Sequence, residues 1–214
     1  MFAPLAKRGR FLMKSSLYKQ VIFDLGGVLF YWNPKEVSRL LKEKDPDFPL
    51  HIEKIVYTST WSDLDAGTLS LEEAMQQLST CYPRHYIERF VSLSLEKLVP
   101  LEKGISLLKQ VQAQKKQTFI LSNISGEFFK KISIYKSLLD SFDGAVFSYE
   151  IHTLKPQKKI YQTLLDKYFL KPEECLFIDD SLANVAAAQK MGMDAIICQE
   201  HQYVHDELLR LKVI

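Results

Sequence analysis

A chain of 214 residues, 47% hydrophobic and 25% charged, has room for one sizeable core plus a modest insertion, and its composition is that of a globular protein. No run is long and apolar enough to span a bilayer, so no membrane partner is expected. The formal net charge is +2, and residues 1–12 carry Lys7, Arg8 and Arg10 with no acid, so the body of the chain lacks the concentrated positive field that nucleic-acid binding requires.

The opening residues resemble a targeting peptide only weakly, because their apolar pieces are short and no small-residue cleavage pattern follows. Residues 1–18 are expected to form a disordered extension, with Met13 as an alternative start. Residues 19–24 are a short apolar run ending on Asp24 and followed by Gly26 and Gly27, which predicts a buried strand entering a turn. Residues 33–98 then hold helical patterns and no convincing strand. Within them, Asp45-Pro46-Asp47-Phe48-Pro49 predicts a loop, and Ser70 with Glu73 a capping box after the turn at Asp65-Ala66-Gly67.

From Lys97 onward strands and helices alternate. Leu101, Ile105, Leu108 and Val111 mark a helix, and 118–121 and 144–147 are strands. A helical segment opens at Pro156 and carries Ile160, Leu164 and Tyr168. Strand 175–178 follows, then an alanine-rich helix over 182–191 that stops at Gly192, and strand 195–198. This order predicts an α/β fold, a Rossmann-like doubly wound parallel sheet with an inserted all-helical unit. The core is expected over 19–32 and 99–214, and the insertion over 33–98. Three cysteines, Cys81, Cys175 and Cys198, match neither a disulfide framework nor a metal-binding pair, which predicts a reduced, cytoplasmic setting with Cys175 and Cys198 as core thiols.

Open parallel sheets bind ligands outside the carboxyl ends of their strands. Asp24 ends the first strand, Ser122-Asn123 the second and Asp179-Asp180 the fourth, while Lys155 opens the helix after the third. Together they bring three carboxylates, one ammonium group and one hydroxyl to one crevice. Packed carboxylates repel unless a cation separates them, and an oxygen-rich set that leaves room for phosphate suits Mg2+. Lys155 and Ser122 can hold phosphoryl oxygens, and Asp24 can attack phosphorus.

Ile22-Phe23-Asp24-Leu25-Gly26-Gly27-Val28-Leu29, Leu121-Ser122-Asn123, Lys155-Pro156 and Ile178-Asp179-Asp180-Ser181-Leu182-Ala183-Asn184 resemble, in order, the four motifs of the haloacid dehalogenase superfamily. The insertion is similar to the small helical cap of its first subclass. Within that subclass the chain looks like bacterial glucose-1-phosphatase-like enzymes and the phosphatase domain of soluble epoxide hydrolase. The resemblance implies a Mg2+-dependent hydrolase of a small phosphorylated metabolite, with sugar phosphates among the candidates, acting through a phosphorylated Asp24. It implies Mg2+ held by Asp24, the Gly26 carbonyl and the Asp179-Asp180 pair, with Asn184 in support. Ser122, Asn123 and Lys155 would hold the phosphate.

One position departs from the family's phosphatase pattern. A second aspartate usually stands two residues after the nucleophile and protonates the leaving oxygen, an effect of about 10²–10⁴-fold in rate; here that position is Gly26. Two alternatives therefore stand beside the phosphatase: a non-catalytic module binding a phospho-ligand or protein, and a 2-haloacid dehalogenase. Asp63, Asp65, His51 and His85 are replacement acids within the insertion, each expected at the surface. Phe30-Tyr31-Trp32 line the pocket or pack between core and insertion. His152, His201 and His205 lack a metal-ligand arrangement and are expected in surface roles.

Overall fold

The structure, a computed structural model, describes residues 17–214. The strands are β1 (Gln20–Phe23), β2 (Gln117–Ser122), β3 (Gly144–Phe147), β4 (Cys175–Asp179) and β5 (Asp194–Ile197). They form one parallel sheet in the order β3-β2-β1-β4-β5. The helices are α1 (Pro34–Lys44), α2 (Ser59–Asp65), α3 (Leu71–Leu78), α4 (Arg84–Lys97), α5 (Glu102–Ala113), α6 (Gly126–Ile132), α7 (Lys136–Leu139), α8 (Ser148–Ile151), α9 (Lys158–Lys167), α10 (Leu182–Lys190) and α11 (His201–Arg210).

Every residue of β1 is buried, because the strand lies mid-sheet with helices on both faces. Alternation of side chains sends Val21 and Phe23 toward the face covered by α5 and α11, while Ile22 meets α9 and α10 on the other. The chain adds β2 and β3 on one side of β1 and then crosses to build β4 and β5 on the other. The switch point thus falls between the carboxyl ends of β1 and β4, where Asp24 and Asp179 stand.

Among the described residues, 33–98 carry α1 to α4 and a 3-10 segment (Ile52–Tyr57) with no strand. Asn33 caps α1 through its side chain to the Glu36 amide, and Pro34 stands in the first turn where a missing N–H costs nothing. The Ser70–Glu73 capping box opens α3. The Asp45 to Pro49 loop joins α1 to the 3-10 segment, and an Asp45–Arg89 ion pair ties it to α4.

Several boundaries differ from the sequence expectations. Lys155-Pro156 precedes the helix rather than opening it, since α9 begins at Lys158 with Gln157 as its cap. The expected extension over 1–18 lies outside the described residues up to 16, but Tyr18 is buried and hydrogen-bonds to Asp194 at the start of β5. Cys175 and Cys198 are buried free thiols, and burial pushes both up to about 12, so they are inert. Among the described residues no helix is long and apolar enough to cross a membrane.

Candidate active site

The four sequence-marked strand ends meet around one buried ammonium group. Lys155 Nζ lies 2.9 Å from Asp24 Oδ1 and 2.7 Å from Asp179 Oδ2, and donates to the Leu121 carbonyl at 2.8 Å. Asn123 holds the Lys155 backbone from both sides, its side chain accepting from the amide at 2.8 Å and donating to the carbonyl at 2.9 Å. The β2 end is thereby fastened to the segment that carries Lys155. Ser122 is buried in the same wall.

Asp179 is the anchor of the set. Its Oδ1 accepts from the Ser181 amide at 2.8 Å and from Asn184 Nδ2 at 2.9 Å, and its Oδ2 accepts from Lys155. With both oxygens engaged, Asp179 orients its neighbours, whereas Asp24 and Asp180 turn toward the cavity. One carboxylate oxygen from each of Asp24, Asp179 and Asp180 falls within a mutual distance of 4.8 Å, close enough for a single ion to bridge.

The turn after β1 makes this approach possible. Gly27 has φ of +71°, and a Cβ there would sit 2.3 Å from Asp180 Oδ2, so the backbone conformation and the carboxylate both demand glycine. Gly26 is limited by space instead: a Cβ would lie 3.3 Å from the Trp32 Cβ.

Burial pushes the Asp24 carboxyl up to about 7; Lys155 opposes the shift, and Asp179 and Asp180 reinforce it. Asp180, open toward the cavity yet hemmed in by its surroundings, is pushed up to about 6 by burial and then by Asp179. Burial also pulls on Lys155, but Asp179 and Asp24 outweigh it and hold its pKa above the ordinary value. One ammonium for three carboxylates leaves an excess of buried negative charge, and this donor set fits a hard divalent cation.

These groups floor a cavity of about 480 Å³. Its lining also holds the apolar Phe30, Trp32, Val56, Trp61, Leu98 and Phe128, with Asn33, Lys35, Tyr57 and Asp65 among them. Trp32 and Trp61 approach with ring centroids 6.3 Å apart, and both pack edge-on against Phe128. Phe30 and Trp32 reach the cavity while Tyr31, between them, does not line it. Lys35 at the mouth and the apolar residues of α6 were not anticipated from sequence.

The candidate acids of the insertion separate sharply. Asp65 lines the cavity, against expectation, because it stands one helical turn from buried Trp61 on the inner face of α2; Asp63 is exposed. His51 opens onto a separate pocket beside α1, and the His85 ring lies tilted beside Tyr86 with centroids 3.9 Å apart. His152, exposed as expected, bonds the Ala66 carbonyl at 2.9 Å, and half-buried His201 the Val28 carbonyl at 2.7 Å, so both also tie segments together. His205 sits beside Asp206. Ser148 joins the insertion to the core: its hydroxyl is 2.6 Å from the Asp65 carbonyl, 2.9 Å from the Ile124 amide and 3.2 Å from the Ile124 carbonyl.

Known proteins of similar sequence and fold can be set beside this chain. A sesquiterpene phosphatase of Aspergillus oryzae is 30% identical over 82% of this chain and 87% of its own length. A D-ribitol-5-phosphate phosphatase of Bacteroides thetaiotaomicron is 25% identical over 83% of this chain and 90% of its own. In fold, the chain is similar to a haloacid dehalogenase family enzyme of the same bacterium solved with magnesium and inorganic phosphate, with a TM-score of 0.68 and 21% identity over 87% of this chain and 98% of that one. Residues 18–192 match the haloacid dehalogenase-like hydrolases as a family. With that match spanning most of its length and the four strand-end motifs converging on one cavity, the chain belongs to the haloacid dehalogenase-like hydrolases.

Proposed function

We propose that the chain hydrolyses a small phosphomonoester with Mg2+, through an aspartyl-phosphate on Asp24. The observation that carries this reading is the contact of Asp24 with buried Lys155 at 2.9 Å, beside two further carboxylates. Asp24 and Asp180, with the Gly26 carbonyl, would hold the metal, and Asp179 and Asn184 would keep Lys155 and the loop after β4 in place. When bound, the ion offsets the negative charge of the phosphoryl group and the carboxylates.

Asp24 then attacks phosphorus with one carboxylate oxygen, and the bond to the leaving oxygen breaks. Lys155, Ser122 and the Asn123 backbone hold the phosphoryl oxygens as their charge redistributes. Water attacks the aspartyl-phosphate in turn and releases inorganic phosphate, which restores Asp24. Residues 33–98 serve as a cap over a core formed by 19–32 and 99–214, closing the cavity from water during these steps.

The apolar wall favours a substrate whose organic half is largely hydrocarbon. Trp32, Trp61 and Phe128 would give such a group apolar contacts, while Asn33, Lys35 and Tyr57 on the same lining are the partners a polyol would need. The sesquiterpene phosphatase relative supports this choice, and the ribitol-5-phosphate phosphatase keeps sugar phosphates in the test set. Carbon–halogen attack needs no cation, and would leave the Asp180 carboxylate without a role.

The test is phosphate release from prenyl monophosphate, pentitol phosphate and 4-nitrophenyl phosphate, with Mg2+ or with chelator. Release is expected only with the metal, fastest from the prenyl ester, and absent in Asp24→Asn. A mutant as active as the wild type would sink the mechanism. Phosphate binding without release would point to a non-catalytic module.

A further inference from the structure

The proposed mechanism leaves one proton without a source. An alkoxide is a poor leaving group, so the oxygen departing from phosphorus needs a proton as the bond breaks. Gly26 offers none, and the Trp32 side chain crowds the space above it. A donor must therefore enter the cavity from elsewhere.

We infer that Asp65 supplies this proton: it is the carboxyl group of the helical insertion that lines the cavity holding Asp24, and it is fixed there by contacts on both sides. The inference rests on the phosphatase reading above. The Trp61 side chain and the Ser125 backbone amide both hydrogen-bond to the Asp65 carboxyl group. The Ser148 hydroxyl meets its carbonyl at 2.6 Å, and His152 holds the next residue's carbonyl. Gly67, with φ of +67°, lets the turn press against the Tyr149 backbone, where a Cβ would come within 2.6 Å. The carboxylate is therefore positioned from the core, although it belongs to the insertion.

Its surroundings suit a donor. Burial pushes the Asp65 carboxyl up to about 7, against the lowering effect of the Trp61 and Ser125 hydrogen bonds, so a share keeps its proton near neutrality. Groups on the elements packed against α2 are Glu53, Lys54 and Tyr57 of the 3-10 segment and Glu72 and Glu73 of α3. From α8 come Tyr149 and Glu150, with His152 just after it. None of these contributes a charge that sets the Asp65 pKa, and among the described residues no cation is paired with it in the way Lys155 is paired with Asp24. A carboxyl group shielded in part from water, lining a phosphate cavity with no counter-charge among the described residues, is an expensive arrangement for packing alone.

In the first half-reaction the Asp24 oxygen bonds to phosphorus, the ester P–O bond breaks, and the Asp65 proton passes to the departing oxygen, giving an alcohol. In the second, water bonds to phosphorus and gives a proton to the Asp65 carboxylate. The acyl-phosphate P–O bond breaks, and Asp24, protonated Asp65 and inorganic phosphate remain.

The experiment compares first-turnover rates of wild type, Asp65→Asn and Asp65→Glu on n-butyl phosphate and 4-nitrophenyl phosphate, with Mg2+ present. Nitrophenolate leaves without a proton, so its burst also reports whether each variant is folded. In Asp65→Asn, butanol release should fall about 10²-fold while the nitrophenolate burst stays within about threefold of wild type. Asp65→Glu should recover part of the butanol rate. Equal rates in wild type and Asp65→Asn on both esters, or equal losses on both, would overturn the assignment while leaving the phosphatase reading intact. Failure of the wild type to release phosphate from either ester, with no phosphate incorporated at Asp24, would instead overturn the phosphatase reading.

Discussion

The two ends of the cavity are built from opposite materials. At the floor, side chains leave the ends of buried strands, and each is locked by several polar contacts: Lys155 by Asp24, Asp179 and Leu121, and Asp179 by Lys155, Ser181 and Asn184. At the roof, Trp32, Trp61 and Phe128 meet one another through ring contacts, tilted or edge-on. Charge must be placed within fractions of an ångström to be useful, whereas an apolar wall need only exclude water and match a shape. The floor is therefore suited to one chemistry, and the roof to variation in what undergoes it.

The hardest way to break this division is at Lys155. Lys155→Met leaves Asp24, Asp179 and Asp180 together without a cation, and removing one partner of a buried pair costs about 3–5 kcal/mol. Denaturant unfolding should show the loss, and Mg2+ should recover part of it. In the wild type, Mg2+ at a hundredfold excess over its Kd should stabilise by about 2.7 kcal/mol, a rise of about 5–10 °C in melting temperature. Asp180→Asn should lose most of that rise, with or without any turnover.

A change at the roof should act on selection instead. Trp32→Leu removes aromatic surface facing Trp61 and Phe128, and should raise KM for a prenyl monophosphate about tenfold while leaving a pentitol phosphate nearly unchanged. Equal changes for both substrates would mean that Trp32 serves the floor. The smallest effect concerns pH. Because the folded state holds the Asp65 proton more tightly than the unfolded chain, its contribution is full below the ordinary value of 3.8 and is lost as pH rises through about 7. The melting temperature of Asp65→Asn relative to wild type should therefore be higher at pH 8 than at pH 4.

The floor was legible in the sequence because strand ends announce themselves. A β-rich apolar run that stops on Asp24, or on Asp179-Asp180, leaves few places for the carboxylate except the carboxyl end of the sheet. The parallel order followed from the same runs. The roof was not legible, since its residues come from β1's exit, the insertion and α6, and only tertiary packing joins them. Asp65 shows what was missed. Read as one polar residue among several it resembles Asp63, but its spacing of four from Trp61 puts it on the buried face of α2, and Asp63 off it. The short helices α6, α7 and α8 carried no periodic signal long enough to register.

Ser148 stitches the insertion to the core with a single side chain. A hydroxyl carries one proton, yet the carbonyls of Asp65 and Ile124 both lie within its reach while it accepts from the Ile124 amide. At 2.6 Å against 3.2 Å, the contact with Asp65 has the stronger claim on that proton. One hydroxyl thus spans the backbone of the proposed proton donor and the residue next to Asn123, so the two halves of the cavity share a single rivet.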